Sequence, residues 1–224
     1  MSSQASAPTR LTLVYDPLCG WCYGAVPTIR RLAQEPALSI ELVPAGLFAG
    51  PGARAMDDQF ARHAWSNDQR IAQLTGQPFS VRYRERVLAD RSTPLDSGPA
   101  ILALTAVHQT APERELAALE AIQAARYVDG RNVTDDAVLV ELLRGMALDT
   151  AATRVERRSP ELLAATAART TTGRDLLRAI GAVPALLVHK GRGLRVIPSE
   201  LLYGRFDDLI HHLGAAAPEL TTRH

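Results

Sequence analysis

The distribution of apolar and polar positions divides the chain into stretches of different character. Near the start, Leu11-Thr12-Leu13-Val14-Tyr15 is a short apolar and β-branched run. Asp16-Pro17 interrupts it, because proline has no N–H to offer a ladder. It predicts a first strand. From Cys19 to Gln34, residues Ala25, Ile29, Leu32 and Ala33 recur at helical spacing, and Pro36 ends the segment. Ser39-Ile40-Glu41-Leu42-Val43 alternates and predicts a second strand, closed by Pro44. Strand, helix and strand in this order favour parallel pairing through a right-handed crossover.

The pattern then changes. From Ala53 to Thr171 the chain is rich in Ala, Leu, Arg and Glu and poor in β-branched runs. Helices are predicted at 55–74, 97–110, 113–128, 134–147 and 159–179. Asp96-Ser97 offers a cap for the second of these, and Thr134-Asp135-Asp136 a start for the fourth. Strand character returns at Ala185-Leu186-Leu187-Val188-His189. Lys190-Gly191-Arg192-Gly193 reads as a hairpin turn, and Leu194-Arg195-Val196-Ile197 as the returning strand. Phe206, Leu209, Ile210 and Leu213 form the apolar stripe of a last helix, ended by Gly214.

Composition narrows the class. With 25 basic and 24 acidic residues the formal net charge is +1, which gives no general attraction to nucleic acid or to an anionic membrane. An apolar fraction of 46% is that of an ordinary globule, and no long apolar run offers a membrane span. The first residues, MSSQASAPTR, contain no apolar core of a signal peptide, so the expected compartment is the cytoplasm. Two cysteines are too few for a disulfide-stapled scaffold; in a reducing compartment such a pair points to catalysis or metal.

Both cysteines lie in Cys19-Gly20-Trp21-Cys22, directly after a predicted strand and at the start of a predicted helix. The first turn of a helix carries unpaired N–H groups and the positive end of the dipole. A thiolate is stabilised there, with its pKa falling from about 8.5 into the range of roughly 3.5–7.5. Two intervening residues bring the second sulfur close enough to close a small disulfide ring. Cys19 is therefore expected to be the exposed nucleophile and Cys22 the more buried resolving thiol. A structural zinc site needs about four ligands. No further cysteine exists, and the histidines (His63, His108, His189, His211, His212, His224) are scattered apart from one adjacent pair, so no metal is expected. Two inert buried cysteines are the other alternative, and the strand–CxxC–helix context argues against it. Pro27 falls inside the predicted helix and removes a backbone hydrogen bond there. Trp65 reads as core. The runs Arg82-Tyr83-Arg84-Glu85-Arg86 and Arg154-Val155-Glu156-Arg157-Arg158 read as solvated faces or loops.

Taken together, strand, CxxC, Pro-containing helix, strand, helical block, Gly181-Ala182-Val183-Pro184, hairpin and terminal helix resemble the thioredoxin fold. The helical block resembles that of its DsbA-like branch. Tyr15-Asp16-Pro17-Leu18-Cys19-Gly20-Trp21-Cys22-Tyr23-Gly24 is similar to the opening of cytosolic DsbA-like proteins described as predicted disulfide isomerases. Asp96-Ser97-Gly98-Pro99-Ala100 and Tyr127-Val128-Asp129-Gly130-Arg131-Asn132-Val133 are similar to that group as well. The resemblance implies an α/β thioredoxin fold with a large α-helical insertion. Residues 1–52 and 172–224 would form the two parts of the fold, and 53–171 the insertion. It implies thiol–disulfide exchange without a cofactor, on protein or small-molecule disulfides and thiols, with glutathione a further candidate partner. It also implies that Pro184 is cis and faces the cysteines, and that the Val183 backbone pairs with an extended substrate. Gly20 and Trp21 join Val183 and Pro184 as substrate-binding candidates.

Two departures stand out. Many thioredoxin-like proteins carry a buried acid six residues before the first cysteine, and here that position is Leu13. Asp16 is the nearest acid, with capping of the next turn as its ordinary role. The dipeptide Gly20-Trp21 also lacks the histidine of the strongly oxidising DsbA, so a less oxidising couple is expected. Two other functions share the architecture: a glutathione-dependent isomerase or transferase, and a non-enzymatic chaperone or binding module.

Overall fold

A computed structural model describes residues 8–191 and 193–214. Arg192 of the predicted turn, the first residues that bear on compartment, and His224 lie outside the described residues. Strand β1 (Thr9–Tyr15) takes the centre of a sheet ordered β2-β1-β3-β4, with β2 spanning Leu38–Pro44, β3 Ala185–Lys190 and β4 Gly193–Val196. The position of β1 explains its unbroken apolar run. Leu11–Tyr15 are buried throughout, because a strand with neighbours on both edges and helices on both faces has no solvent side. β1 pairs β2 in parallel, as the βαβ pattern predicts, and β3 antiparallel; β3 and β4 form the predicted hairpin.

Helix α1 (Gly20–Ala33) makes the crossover and runs on through Pro27. Proline at that position leaves the Tyr23 carbonyl without its helical donor. Gln77 supplies one, its side-chain amide donating to that oxygen at 3.0 Å. The helices between β2 and β3 are α2 (Asp58–Thr75), the single turn α3 (Val81–Tyr83), α4 (Gly98–Thr110), α5 (Glu115–Tyr127), α6 (Asp136–Gly145), α7 (Asp149–Arg157) and α8 (Pro160–Ile180). The 3₁₀ and π turns among them add no further helix. A last helix, α9 (Phe206–Gly214), follows the hairpin. No helix among the described residues is long and apolar enough to cross a membrane.

Several expectations need correction. Helix α7 was not predicted. Its buried side is only Ala151, Ala152 and Val155, a weak periodic signal. The run around Tyr83 is not simply a solvated face: α3 passes into a π turn (Arg84–Leu88), and Tyr83, Val87 and Leu88 point into the core. Trp65 sits half-buried at the edge of the core rather than within it. The cap of α4 also differs. Asp96 accepts from the Gly98 N–H at 2.8 Å, while the Ser97 hydroxyl turns away to donate to Asp16 at 2.7 Å.

Close approach fixes the insertion to the sheet and to α1. Gly173 of α8 lies against β2, where a Cβ would stand 2.1 Å from the Pro44 carbonyl oxygen. Gly20 and Gly24, one turn apart on α1, admit Asp68 and Ile71 of α2; a Cβ at Gly20 would come within 2.4 Å of Asp68 Oδ1. Glycine is needed here for space rather than for its torsion angles. Behind the sheet, the half-buried Arg169 on α8 ties three elements. It donates to Glu115 at the start of α5 at 2.6 Å and to the Leu42 carbonyl at 2.8 Å. His108 on α4 completes the cluster with Glu115 at 2.7 Å.

Candidate active site

The strand-to-helix junction places the cysteines. Cys19 is the N-cap of α1 in extended conformation, and its carbonyl accepts from the Tyr23 N–H at 3.1 Å. Cys22 falls within the first turn. Both are free thiols, Cys19 8% exposed and Cys22 4%. Cys19 lines a cleft of about 400 Å³; Cys22 does not. The backbone N–H of Asp16 points at Cys22 Sγ from 3.4 Å. Burial pushes the Cys22 thiol well above the ordinary thiol range, and its contact with Cys19 adds to this. Cys19, expected to be exposed, is itself buried; the two sulfurs differ in that Cys19 alone lines the cleft, because the start of α1 packs against the loops around it.

Cys19 Sγ stands 4.0 Å from the Val183 carbonyl oxygen, and the Val183–Pro184 peptide is cis. The structure brings Cys19, Gly20, Trp21 and Val183 onto one cleft wall. Pro184 is buried behind Val183 and does not line the cleft. Trp21 is half-buried. Its ring meets Tyr203 edge-on at 5.3 Å, and the Tyr203 hydroxyl donates to the Trp21 carbonyl at 3.1 Å.

Asp16 does more than close the turn. Its fully buried carboxyl accepts from the Leu18 N–H at 2.9 Å, the Phe48 N–H at 3.2 Å and the Ser97 hydroxyl at 2.7 Å. Burial raises its pKa, against the pull of those donors. One carboxyl therefore fastens the CxxC loop to the loop after β2 and to the head of α4. Leu13 packs in the core, pairing Leu42 and Leu186.

The opposite wall comes from the insertion, and sequence reasoning missed its polar members. Asp68 is 4% exposed and accepts from the Tyr83 hydroxyl at 3.1 Å. Burial outweighs that bond and the nearby Arg126, pushing the carboxyl up to about 7. Arg126 is 3% exposed, with its guanidinium 5.5 Å from the centroid of the Tyr83 ring and 5.7 Å from that of Tyr127. The Tyr127 hydroxyl donates to the Leu18 carbonyl at 2.7 Å, joining this wall to the approach of the CxxC. A sequence signal did exist: both charges interrupt apolar stripes. Asp68 falls between Ala64 and Ile71 on α2, and Arg126 lies four residues after Ile122 on α5.

A cysteine pair at a helix start, one sulfur on a cleft and its mate behind it, with the Val183 carbonyl at the head of a strand beside the first, defines a thiol–disulfide oxidoreductase of thioredoxin fold. Comparison with solved structures gives its branch. The cytosolic disulfide reductase DsbM from Pseudomonas aeruginosa is 31% identical, with 92% of this chain and 97% of that chain covered and a TM-score of 0.79. The same protein solved with GSH is 32% identical over 92% and 98%, also at 0.79. A 2-hydroxychromene-2-carboxylate isomerase shares only the fold: 16% identity over 92% of this chain and 95% of that one, TM-score 0.62. The chain belongs to the DsbA-like thioredoxin-fold family, and it is an enzyme of thiol–disulfide exchange. No protein-family model matches the chain, and neither does any curated protein.

Proposed function

We propose that the protein works as a disulfide reductase in the cytoplasm, with Cys19 as nucleophile, Cys22 as resolving thiol, and Gly20, Trp21, Val183 and Pro184 around the bound substrate. The observation that carries this is the unequal pair, Cys19 facing the cleft 4.0 Å from the Val183 carbonyl and Cys22 behind it. The Cys19 thiolate attacks one sulfur of a substrate disulfide, forming a mixed disulfide and expelling a substrate thiolate, which takes up a proton. Cys22 loses its proton and attacks Cys19 Sγ. That step releases the second substrate thiol and leaves a Cys19–Cys22 disulfide. Two electrons pass from the dithiol to the substrate, and an external thiol must return them.

Several observations support the finer points. The DsbM relative is described as cytosolic, as a reductase and in complex with GSH, which favours that compartment, that direction and glutathione as recycling thiol. The pair Gly20-Trp21, without histidine, favours a couple less oxidising than DsbA's. Protein and small-molecule disulfides both suit an open cleft. We assign residues 1–52 and 172–224 to the redox unit and 53–171 to the wall facing it.

Turnover of insulin disulfides with a glutathione-coupled readout tests the assignment. Cys19→Ser is expected to abolish turnover, and Cys22→Ser to halt at a mixed disulfide on Cys19. Wild-type rates in Cys19→Ser would overturn it.

A further inference from the structure

The polar floor of the cleft has no part in the exchange chemistry, yet it is built at some energetic cost. Arg126 is nine-tenths buried or more, makes no ion pair among the described residues, and its Nε donates to nothing. A guanidinium removed from water with no bonded counter-charge is costly; nearby Asp68 offsets it only while ionised, and the faces of Tyr83 and Tyr127 offset only part of the rest. It borders a cavity of about 20 Å³, room for one water, which Asp90 and Arg86 line as well; Asp90 bonds Ser92 there and makes no ion pair with Arg126 among the described residues. It also lines the same cleft as Cys19. The other titratable groups on that cleft wall are His63, Asp68 and the two tyrosines. Asp68 accepts its hydrogen bond from Tyr83 rather than from Arg126, and at about 7 its carboxyl is only partly ionised at neutral pH.

We infer that Arg126 is the anion anchor of the cleft, and that the preferred small substrates are disulfides and thiols carrying a carboxylate a few bonds from the sulfur. This rests on the thiol–disulfide reading above. With the reacting sulfur against Cys19, the carboxylate reaches into the floor and supplies the bonded counter-charge that Asp68 does not. A planar guanidinium suits a carboxylate as a two-point partner. The cleft, about 400 Å³, is of the size that takes a small molecule.

The test compares three disulfides of similar length: 3,3′-dithiodipropionate, its neutral diamide, and the cationic cystamine. Single-turnover rates with the pre-reduced full-length protein are each divided by the rate of the same disulfide with free dithiothreitol, which removes intrinsic reactivity. The expected order is carboxylate, diamide, cystamine, with at least about a tenfold preference for the carboxylate over the diamide. In Arg126→Met that ratio falls to about one, whatever happens to the absolute rates, and Arg126→Lys keeps part of it. Equal normalised rates for dithiodipropionate and the diamide in the wild type overturn the anchor, as does a preference that survives in Arg126→Met. The wild-type series decides alone if the methionine variant does not fold. A protein that reduces none of the three overturns the functional reading itself, a different result from reducing all three alike.

Discussion

At Asp68 a carboxyl group occupies a stripe that the helical period of α2 reserves for apolar side chains. Its pKa of about 7 in the fold compares with an ordinary 3.8. The folded state therefore binds this proton more tightly than the unfolded chain. The associated stability is complete below the ordinary value and is lost as pH rises through about 7. Urea unfolding is expected to show this single group weakening the fold by on the order of 2–3 kcal/mol between pH 5 and pH 8. Asp68→Asn removes that part of the slope; an unchanged slope in the variant contradicts the assigned environment. The cysteines were legible in sequence because two residue types at one spacing in one context carry the signal. Asp68 and Arg126 were visible only as interruptions of an apolar stripe. An interruption says that a charge is present, not which cavity it faces; that is set by how α2, the Tyr83 turn and α5 come together.

Among the elements, the strands and most helices were legible because their periods are strong. What sequence alone did not give was the coupling between them. Gln77 answers the carbonyl that Pro27 orphans, and nothing local to either residue announces the pairing. Helix α7 escaped because alanines form most of its buried side, and the π turn because Tyr83 sits in a run of charges. The Glu115–Arg169 pair is a further long-range link, joining α5, α8 and β2. Glu115 is 3% exposed, so removing Arg169 leaves a buried carboxylate with His108 as its remaining ionic partner. Arg169→Ala is expected to destabilise the protein by about 2–3 kcal/mol in chemical denaturation, less than for a buried charge left with no partner. Replacing both residues by apolar side chains of similar volume should cost less than Arg169→Ala alone. A loss below about 1 kcal/mol in the single variant would show that the pair is well solvated.

At the scale of the whole molecule, the insertion and the redox unit meet at one junction. Asp16 holds the CxxC loop to α4, Tyr127 holds Leu18, and Gly20 lets α2 approach the head of α1. The insertion thus makes one wall of the cleft and also braces the loop that carries Cys19. That setting makes the two thiols unequal. Cys19 lines the cleft, while Cys22 is buried, held in its thiol form by desolvation, and screened behind its partner. Alkylation of the reduced protein with less than one equivalent of iodoacetamide at pH 7, read by peptide mass mapping, tests this most directly. The label is predicted on Cys19, with Cys22 modified only after unfolding. Labelling of Cys22 first, or of both at one rate, would contradict the account.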